Sequence, residues 1–292
     1  MPLRRRVLII VNPVAGRGRR SRRRLDRVVA ALQQRGCAVV IRRTAAVGDA
    51  ERLAAEAEAD FEVVVGAGGD GTLNAVANRL AGTGRPLAVL PLGTANVLAR
   101  EIGLPRNPER LAELIAVGPA RPIWPGRVGN RLFLMMASSG FDAETVATVN
   151  SRLKRRIGRF AFAWAIGVCW WRDGTCELSV RIGDVDHHAA TVIAAKGRRY
   201  AGSFVIAPRA DLAEPMLDFV LFRRAGRLAV LRYLGALFFG RLPRRTDVSF
   251  LRARDAFLSA PAALPVQADG EIVARLPARI SIAEYPLLLI RP

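Results

Sequence analysis

The chain has 292 residues, 51% apolar and 24% charged, a balance that fits one large or two ordinary globular domains and excludes a disordered polypeptide. Its net charge is +20, and because Lys154 and Lys196 are the only lysines, arginine carries nearly all of it. Such a charge favours nucleic acid, an acidic membrane surface or phosphate-bearing substrates, unless it is compositional bias spread over solvated faces; no RNA-binding aromatic motif, helix-turn-helix signal or zinc-finger spacing supports the first.

Residues 1–120 alternate strands and helices. Strand Val7–Val11 enters the loop Asn12–Gly18 (NPVAGRG), and a helix over Ser21–Gln34 follows, with Leu25, Val28, Val29 and Leu32 on one face and Gly36 as C-cap. Strand Ala38–Arg42, a turn Thr44–Gly48 and a helix from Asp49 to about Ala59 come next. The central stretch is FEVVVGAGGDGTLNAVAN (Phe61–Asn78). It reads as a buried strand Phe61–Val65, a glycine-rich turn Gly66–Gly71 and a helix opening near Thr72. Strand Leu87–Leu90 then runs into PLGTAN (Pro91–Asn96) and a helix ending near Gly103, and the helix Pro108–Val117 closes this half. Short parallel strands joined by helices predict a doubly wound sheet, whose ligands lie beyond the strand C-termini, where all three glycine-containing loops fall.

Beyond Gly118–Gly126, which reads as a crossover, the pattern turns to short β runs. These are Arg131–Met136, Glu177–Ile182, Thr191–Ala195, Phe204–Ala207, Leu217–Phe222, Thr246–Leu251 and Leu264–Gln267, implying a β-rich second domain. Helical candidates interrupt it at Arg155–Trp171 and Arg227–Phe239. The apolar, aromatic run Phe160–Trp171 suits a buried helix or, beside Arg152, Lys154, Arg155 and Arg156, an element facing an anionic bilayer, and the same choice applies to Leu228–Phe239. His187-His188 is expected in an exposed turn. Three irregularly spaced cysteines (Cys37, Cys169, Cys176) make no disulfide framework and fit a reducing compartment. Val7–Val11 is too short for a signal-peptide core, and no run approaches the ~18 apolar residues of a membrane span, so a soluble, cytoplasmic protein peripheral to the inner membrane face is expected.

A strand emptying into a glycine-rich loop and a helix N-terminus suits a phosphate, because backbone N–H groups converge on the anion. Asp70 within that loop calls for a divalent cation or a proton transfer nearby. Gly66, Gly68 and Gly71 satisfy G-x-G-x-x-G, but a dinucleotide site expects an acid roughly 20 residues on, and the corresponding strand ends at Leu90-Pro91-Leu92. No Gly-Lys-Ser/Thr P-loop is present. Asp269-Gly270-Glu271, taken alone, reads as an ordinary hairpin turn.

In order, NPVAGRGR (Asn12–Arg19), GGDGT (Gly68–Thr72), PLGTAN (Pro91–Asn96), SSGFDAETV (Ser138–Val146), KRRIGRFAFAW (Lys154–Trp164) and ADGE (Ala268–Glu271) resemble the diacylglycerol kinase catalytic domain family over nearly the whole chain. That family includes bacterial lipid kinases, sphingosine kinases and ceramide kinases. GGDGT alone is shared with NAD kinases. The resemblance implies an α/β N-terminal domain of the NAD kinase/diacylglycerol kinase type (1–122) and a β-sandwich-like lipid-substrate domain (123–278), with a tail of about 279–292 packing back on the first. It places the nucleotide site in the interdomain cleft. It also implies ATP and Mg²⁺ as cofactors, with Asn12, Thr44, Gly66, Ala67, Gly68, Gly69, Asp70, Gly71, Thr72 and Thr94 contacting the nucleotide. Asp70 would act through Mg²⁺ or orient the phosphates, and Glu271 would be the general base taking the proton of a lipid hydroxyl.

Two departures stand out. Val97 follows the asparagine of the PLGT-x-N motif where many members have Asp. A structural Mg²⁺ site that some bacterial members build from an Asp-Gly turn maps onto ADLAEPML (Ala210–Leu217), with Glu214-Pro215 in its place. Asp211, Glu214 and Met216 are then the candidate ligands. The implied partners are a lipid acceptor at a membrane surface and acidic phospholipids, not nucleic acid. The rival readings are a catalytically silent nucleotide- or lipid-binding regulator and a small-molecule kinase of the NAD type, although the Asn-Glu pair that NAD kinases place after GGDGT is not found.

Overall fold

A computed structural model of the chain describes residues 3–15, 18–57, 59–148, 177–202 and 204–292. The predicted helix Arg155–Trp171, the aromatic run within it, Cys169 and Cys176 lie outside the described residues. The chain divides into two compact units, one of Met1–Trp124 with Glu284–Pro292 and one of Pro125–Ala283.

The first unit begins with β1 (Arg6–Val11), whose residues Val7–Ile10 are fully buried. It continues through α1 (Arg19–Gln34), β2 (Ala38–Arg43), α2 (Asp49–Ala55), β3 (Val63–Gly68), α3 (Asp70–Leu80), β4 (Leu87–Pro91), α4 (Val97–Glu101), α5 (Pro108–Val117) and β5 (Ala120–Ile123). β1 lies between β2 and β3 and runs parallel to both, and β4 follows β3. Strands that alternate faces and are buried on both read as continuous Val/Ile/Leu runs. Val7, Ile9 and Val11 join Val63, Val65 and Ala67 against Leu25, Val28 and Leu32 of α1 and Leu111 and Ile115 of α5. The opposite face meets α2 and α3, which pack on each other. Chain order reverses between β1 and β3, so the loops after these strands flank the switch point where doubly wound sheets bind ligands.

Two predicted boundaries need correction here. β3 does not stop at Val65: Gly66, Ala67 and Gly68 continue the ladder opposite Val89, Leu90 and Pro91, and the connection to α3 is Gly69 alone. Glycine is a poor strand former in isolation, but here it leaves room for the first turn of α3. A Cβ on Gly66 would meet Leu73 Cδ2 at 2.7 Å, and one on Gly68 would meet Thr72 Oγ1 at 2.5 Å. The segment Gly118–Gly126 is likewise not all crossover, because Ala120–Ile123 pairs as β5 with the end of the chain.

The second unit contains β6 (Gly126–Val128), β7 (Arg131–Phe133), β8 (Met136–Gly140), α6 (Phe141–Thr148), β9 (Leu178–Ile182), β10 (Val185–Ala189), β11 (Thr191–Ala195), β12 (Arg199–Tyr200), β13 (Phe204–Val205), β14 (Leu217–Phe222), α7 (Arg227–Phe238), β15 (Val248–Ala253), β16 (Asp255–Ser259), β17 (Pro265–Ala268), β18 (Glu271–Arg275) and β19 (Ala278–Ile282). One six-stranded sheet is ordered β10-β9-β16-β19-β6-β7 and the other β15-β14-β11-β8-β17-β18. Val180, Leu258 and Ile280 of the first meet Val192, Phe219 and Val266 of the second in one core, which makes a β-sandwich. The outer face of the second sheet is covered by α7 through Ala229, Tyr233 and Leu237. His187 and His188, expected in a turn, lie in β10 opposite Val180 and Ser179 of β9. The last strand, β20 (Leu287–Ile290), belongs to the first unit, between β4 and β5.

Candidate functional site

In the first unit the residues singled out by the sequence gather at the C-terminal edge of the parallel strands. Asn12, directly after β1, ties this edge together. Its backbone N–H donates to Ala67 O (2.9 Å), its Nδ2 to Thr72 Oγ1 (3.2 Å), and its Oδ1 accepts from Val14 N (3.0 Å). Leu92 N and Gly93 N both donate to Gly68 O, at 2.9 and 3.1 Å, which holds the PLGTAN loop against the start of α3. Gly93 is glycine because a Cβ there would lie 2.6 Å from Gly69 Cα. Thr44 follows β2 and donates its N–H to Val11 O (2.9 Å), while Thr94 and Gly71 are exposed. The first-turn N–H groups of α3 emerge at this edge, where a helix N-terminus favours an anion.

Asp70 is the first residue of α3, not a loop residue, and its carboxylate is turned sideways. Oδ1 accepts the N–H of Leu98 at 3.3 Å, so Asp70 caps the start of α4 and locks the GGDGT and PLGTAN segments together. Burial pushes its carboxyl above the ordinary range, against the lowering by the backbone N–H groups around residues 96–98.

In the second unit, Asp269 and Gly270 both have positive φ (47° and 85°), the two-residue hairpin pattern that Asp-Gly favours, and Glu271 is the first residue of β18. Glu271 is exposed, with Oε2 4.0 Å from Arg131 Nη2. The hairpin is anchored to an unusual degree. The Asp269 carboxylate accepts from Leu134 N (2.7 Å), Met135 N (3.0 Å) and Met136 N (3.1 Å), and Gly270 N donates to Gln267 Oε1 (2.9 Å).

From Gln267 the hydrogen bonds run inward. Its Nε2 donates to Ser138 Oγ (2.8 Å) and Asp142 Oδ2 (3.1 Å). The Ser138 hydroxyl donates to the same carboxylate, and the Tyr200 hydroxyl donates to Asp142 Oδ1. Burial, reinforced by Asp142, pushes the Tyr200 phenol well above its ordinary value, so it remains a donor. Asp142 and Tyr200 also line a largely apolar cavity of about 100 Å³ between α6, β11 and α7, with Ile193, Tyr233, Leu234 and Leu237 among its walls. Sequence reasoning assigned no role to this network. Ser138 and Asp142 were visible only as part of a motif, and nothing local signals that Tyr200, 58 residues on, would meet Asp142.

The proposed metal ligands are accounted for differently. The carbonyls of Asp211, Glu214 and Met216 do converge, but on the Lys196 ammonium, which donates to all three, at 2.6 Å to Glu214 O and 3.2 Å to Met216 O. The Glu214 carboxylate is paired with Arg252, and Asp211 Oδ1 accepts from Ala213 N. Lys196 is 1% exposed; burial pulls it down to about 8 while Asp211 and Asp218 hold it up, so it is still a cation at neutral pH. The candidate Mg²⁺ position is thus filled by a side chain of this protein, and the residues do not fit a metal there.

Residues 6–128 match the diacylglycerol kinase catalytic domain family, and residues 135–291 match the YegS C-terminal NAD kinase beta sandwich-like domain. The chain is 30% identical to a diacylglycerol kinase of Mycobacterium tuberculosis over 98% of its own length and 95% of that protein's. It is 34% identical to a "Probable lipid kinase YegS-like" protein of Pseudomonas aeruginosa, covering 87% of this chain and 85% of that one. Among solved structures, a diacylglycerol kinase of Bacillus anthracis superposes with a TM-score of 0.80 over 100% of this chain and 98% of that one; at 23% identity, what the two share is the fold.

Proposed function

The chain belongs to the diacylglycerol kinase catalytic domain family, and from that premise we propose that it transfers the γ-phosphoryl group of Mg·ATP to the hydroxyl of a lipid such as diacylglycerol or a sphingoid base. The observation that carries the reading is the knot of Asn12–Thr72, Gly68–Gly93 and Asp70–Leu98 contacts at the switch point of the first sheet. Phosphoryl transfer demands mainly positioning and charge neutralisation, and this knot presents the N-terminus of α3 together with one carboxylate. Mg²⁺ enters as part of the nucleotide substrate. Such ions are held by substrate phosphates with one or two carboxylates, and Asp70 is the one these loops supply.

In the reaction, Glu271 accepts the proton of the acceptor hydroxyl as its oxygen bonds to the γ-phosphorus, and the bond to the β-phosphate oxygen breaks to release ADP. Asp269 is a positioning residue: three backbone N–H groups fix its carboxylate, and the turn that follows sets the direction of Glu271. The apolar cavity beside Asp142 suits the hydrocarbon body of an acceptor. We place the enzyme at the cytoplasmic membrane face, where ATP and acceptor meet; no helix among the described residues is long and apolar enough to cross a membrane.

The test is transfer from γ-labelled ATP to a panel of lipids in mixed micelles, with soluble NAD as a comparator acceptor. Wild type should label a lipid and not NAD. Glu271→Gln should lower kcat by about 10²–10⁴-fold, the usual contribution of a general base. Full activity of Glu271→Gln, or labelling of NAD alone, refutes the reading.

A further inference from the structure

Helix α7 is apolar on two opposite sides. Its inner side, Ala229, Tyr233 and Leu237, is buried against the second sheet, and Val230 and Leu234 line the cavity. Its outer side carries Leu228, Leu231 and Phe238, which together with Phe239 just past its end are 69, 51, 69 and 69% exposed. The spacing of three and seven residues puts Leu228, Leu231 and Phe238 on one stripe. A helix that needed only its inner contacts would carry polar residues there, so the stripe calls for a covering partner.

The charge around the stripe has one sign. Residues 219–246 contain seven arginines and no Asp or Glu. Arg224 and Arg245 share Asp247, whereas Arg223, Arg232, Arg241 and Arg244 are exposed and make no ion pair among the described residues. Arg241 lies over the Phe239 ring at 5.9 Å, a pairing of guanidinium and aromatic that is stable at a polar–apolar boundary.

We propose that the outer face of α7 is the docking surface of this chain for a bilayer bearing anionic headgroups, with Leu228, Leu231, Phe238 and Phe239 entering the headgroup–acyl boundary and the arginines pairing with lipid phosphates. Apolar insertion and one-signed charge are the two requirements of interfacial helix binding. The same helix then has the bilayer on one side and the cavity on the other, a short path for a lipid acceptor; only this last point rests on the lipid-kinase reading.

The test is co-sedimentation of the full chain with vesicles of phosphatidylcholine alone and with vesicles that also contain phosphatidylglycerol. Wild type should bind the anionic vesicles, and bind them less as salt rises. Leu231→Glu/Phe239→Glu and Arg232→Ser/Arg241→Ser should each weaken binding about tenfold or more, the effect of removing an inserted side chain or two surface charges. Their melting temperature and phosphorylation of a short-chain soluble acceptor should stay at wild-type values. Unchanged vesicle binding by both variants, equal wild-type binding to neutral vesicles, or a wild-type dimer that Leu231→Glu/Phe239→Glu splits would overturn the proposal, the last by assigning the face to a second copy. Vesicle binding that follows the stated pattern without transfer to any lipid would refute the kinase reading and leave the docking surface standing.

Discussion

Lys196→Met removes the ammonium and keeps most of the side-chain volume. Three carbonyl oxygens, of Asp211, Glu214 and Met216, then face a thioether instead of a donor. Asp218, 6% exposed, loses the cation that lowers its carboxyl, whose burial already raises it above the ordinary range, and retains Arg209. Stranding one buried polar group costs about 1–3 kcal/mol, and breaking a buried charge arrangement about 3–5 kcal/mol. We therefore expect a loss of at least about 3 kcal/mol, which is a fall in melting temperature of about 6 °C or more in a chain of this size. Calorimetry with and without EDTA and millimolar Mg²⁺ separates an internal cation from a bound one. Wild type should melt at the same temperature in all three conditions. Lys196→Asn, whose shorter side chain clears the cradle, should lose stability and recover part of it with Mg²⁺, because three carbonyls beside Asp218 form an oxygen set that a hard cation accepts. A wild-type melting point that falls on chelation, or a Lys196→Met protein as stable as wild type, would refute the reasoning.

Asp269→Asn should destabilise by about 2–3 kcal/mol, because one carboxylate oxygen becomes an NH₂ facing a backbone donor, and should lower kcat more than it raises the KM for ATP; thermal melts and steady-state kinetics check both. Asp70→Asn separates stability from function. The folded carboxyl is raised by burial, so its contribution to stability is fully present below the unfolded value and is lost as pH rises through the folded one. The Asn variant should therefore gain on wild type in melting temperature as pH rises above the unfolded carboxylate value of about 4, while transfer falls; a difference that stays constant as pH rises contradicts the assignment. Gly93→Ala puts a Cβ 2.6 Å from Gly69 Cα, so it should cost about 1–3 kcal/mol and weaken ATP binding in titration calorimetry, with vesicle binding unaffected.

Much of the first unit was legible because its signals are local. Apolar runs of strand length, helical spacing in α1 and α5, and glycine-containing loops directly after strands each lie within a few residues. The misreading at Gly66–Gly68 shows where that stops. In the chain those glycines announce a turn, but in the fold they extend β3, because Leu73 and Thr72 of the following helix occupy the space their side chains would fill. His187-His188 was misjudged for a similar reason: polar residues on an outward-facing edge strand carry no local mark that separates them from a turn.

The family, the α/β-then-β order of its units and the loops that gather at the switch point can all be read along the chain, since they reside in short motifs and their order. The tertiary structure decided what the charged groups do. Asp70 caps α4, Asp269 gathers three backbone donors from 133 to 135 residues away, Asp142 is satisfied by Tyr200 and Gln267, and Lys196 occupies the oxygen cradle that was a candidate for a metal. A buried charge must find its partner wherever the fold brings one, and composition or spacing along the chain does not encode that meeting.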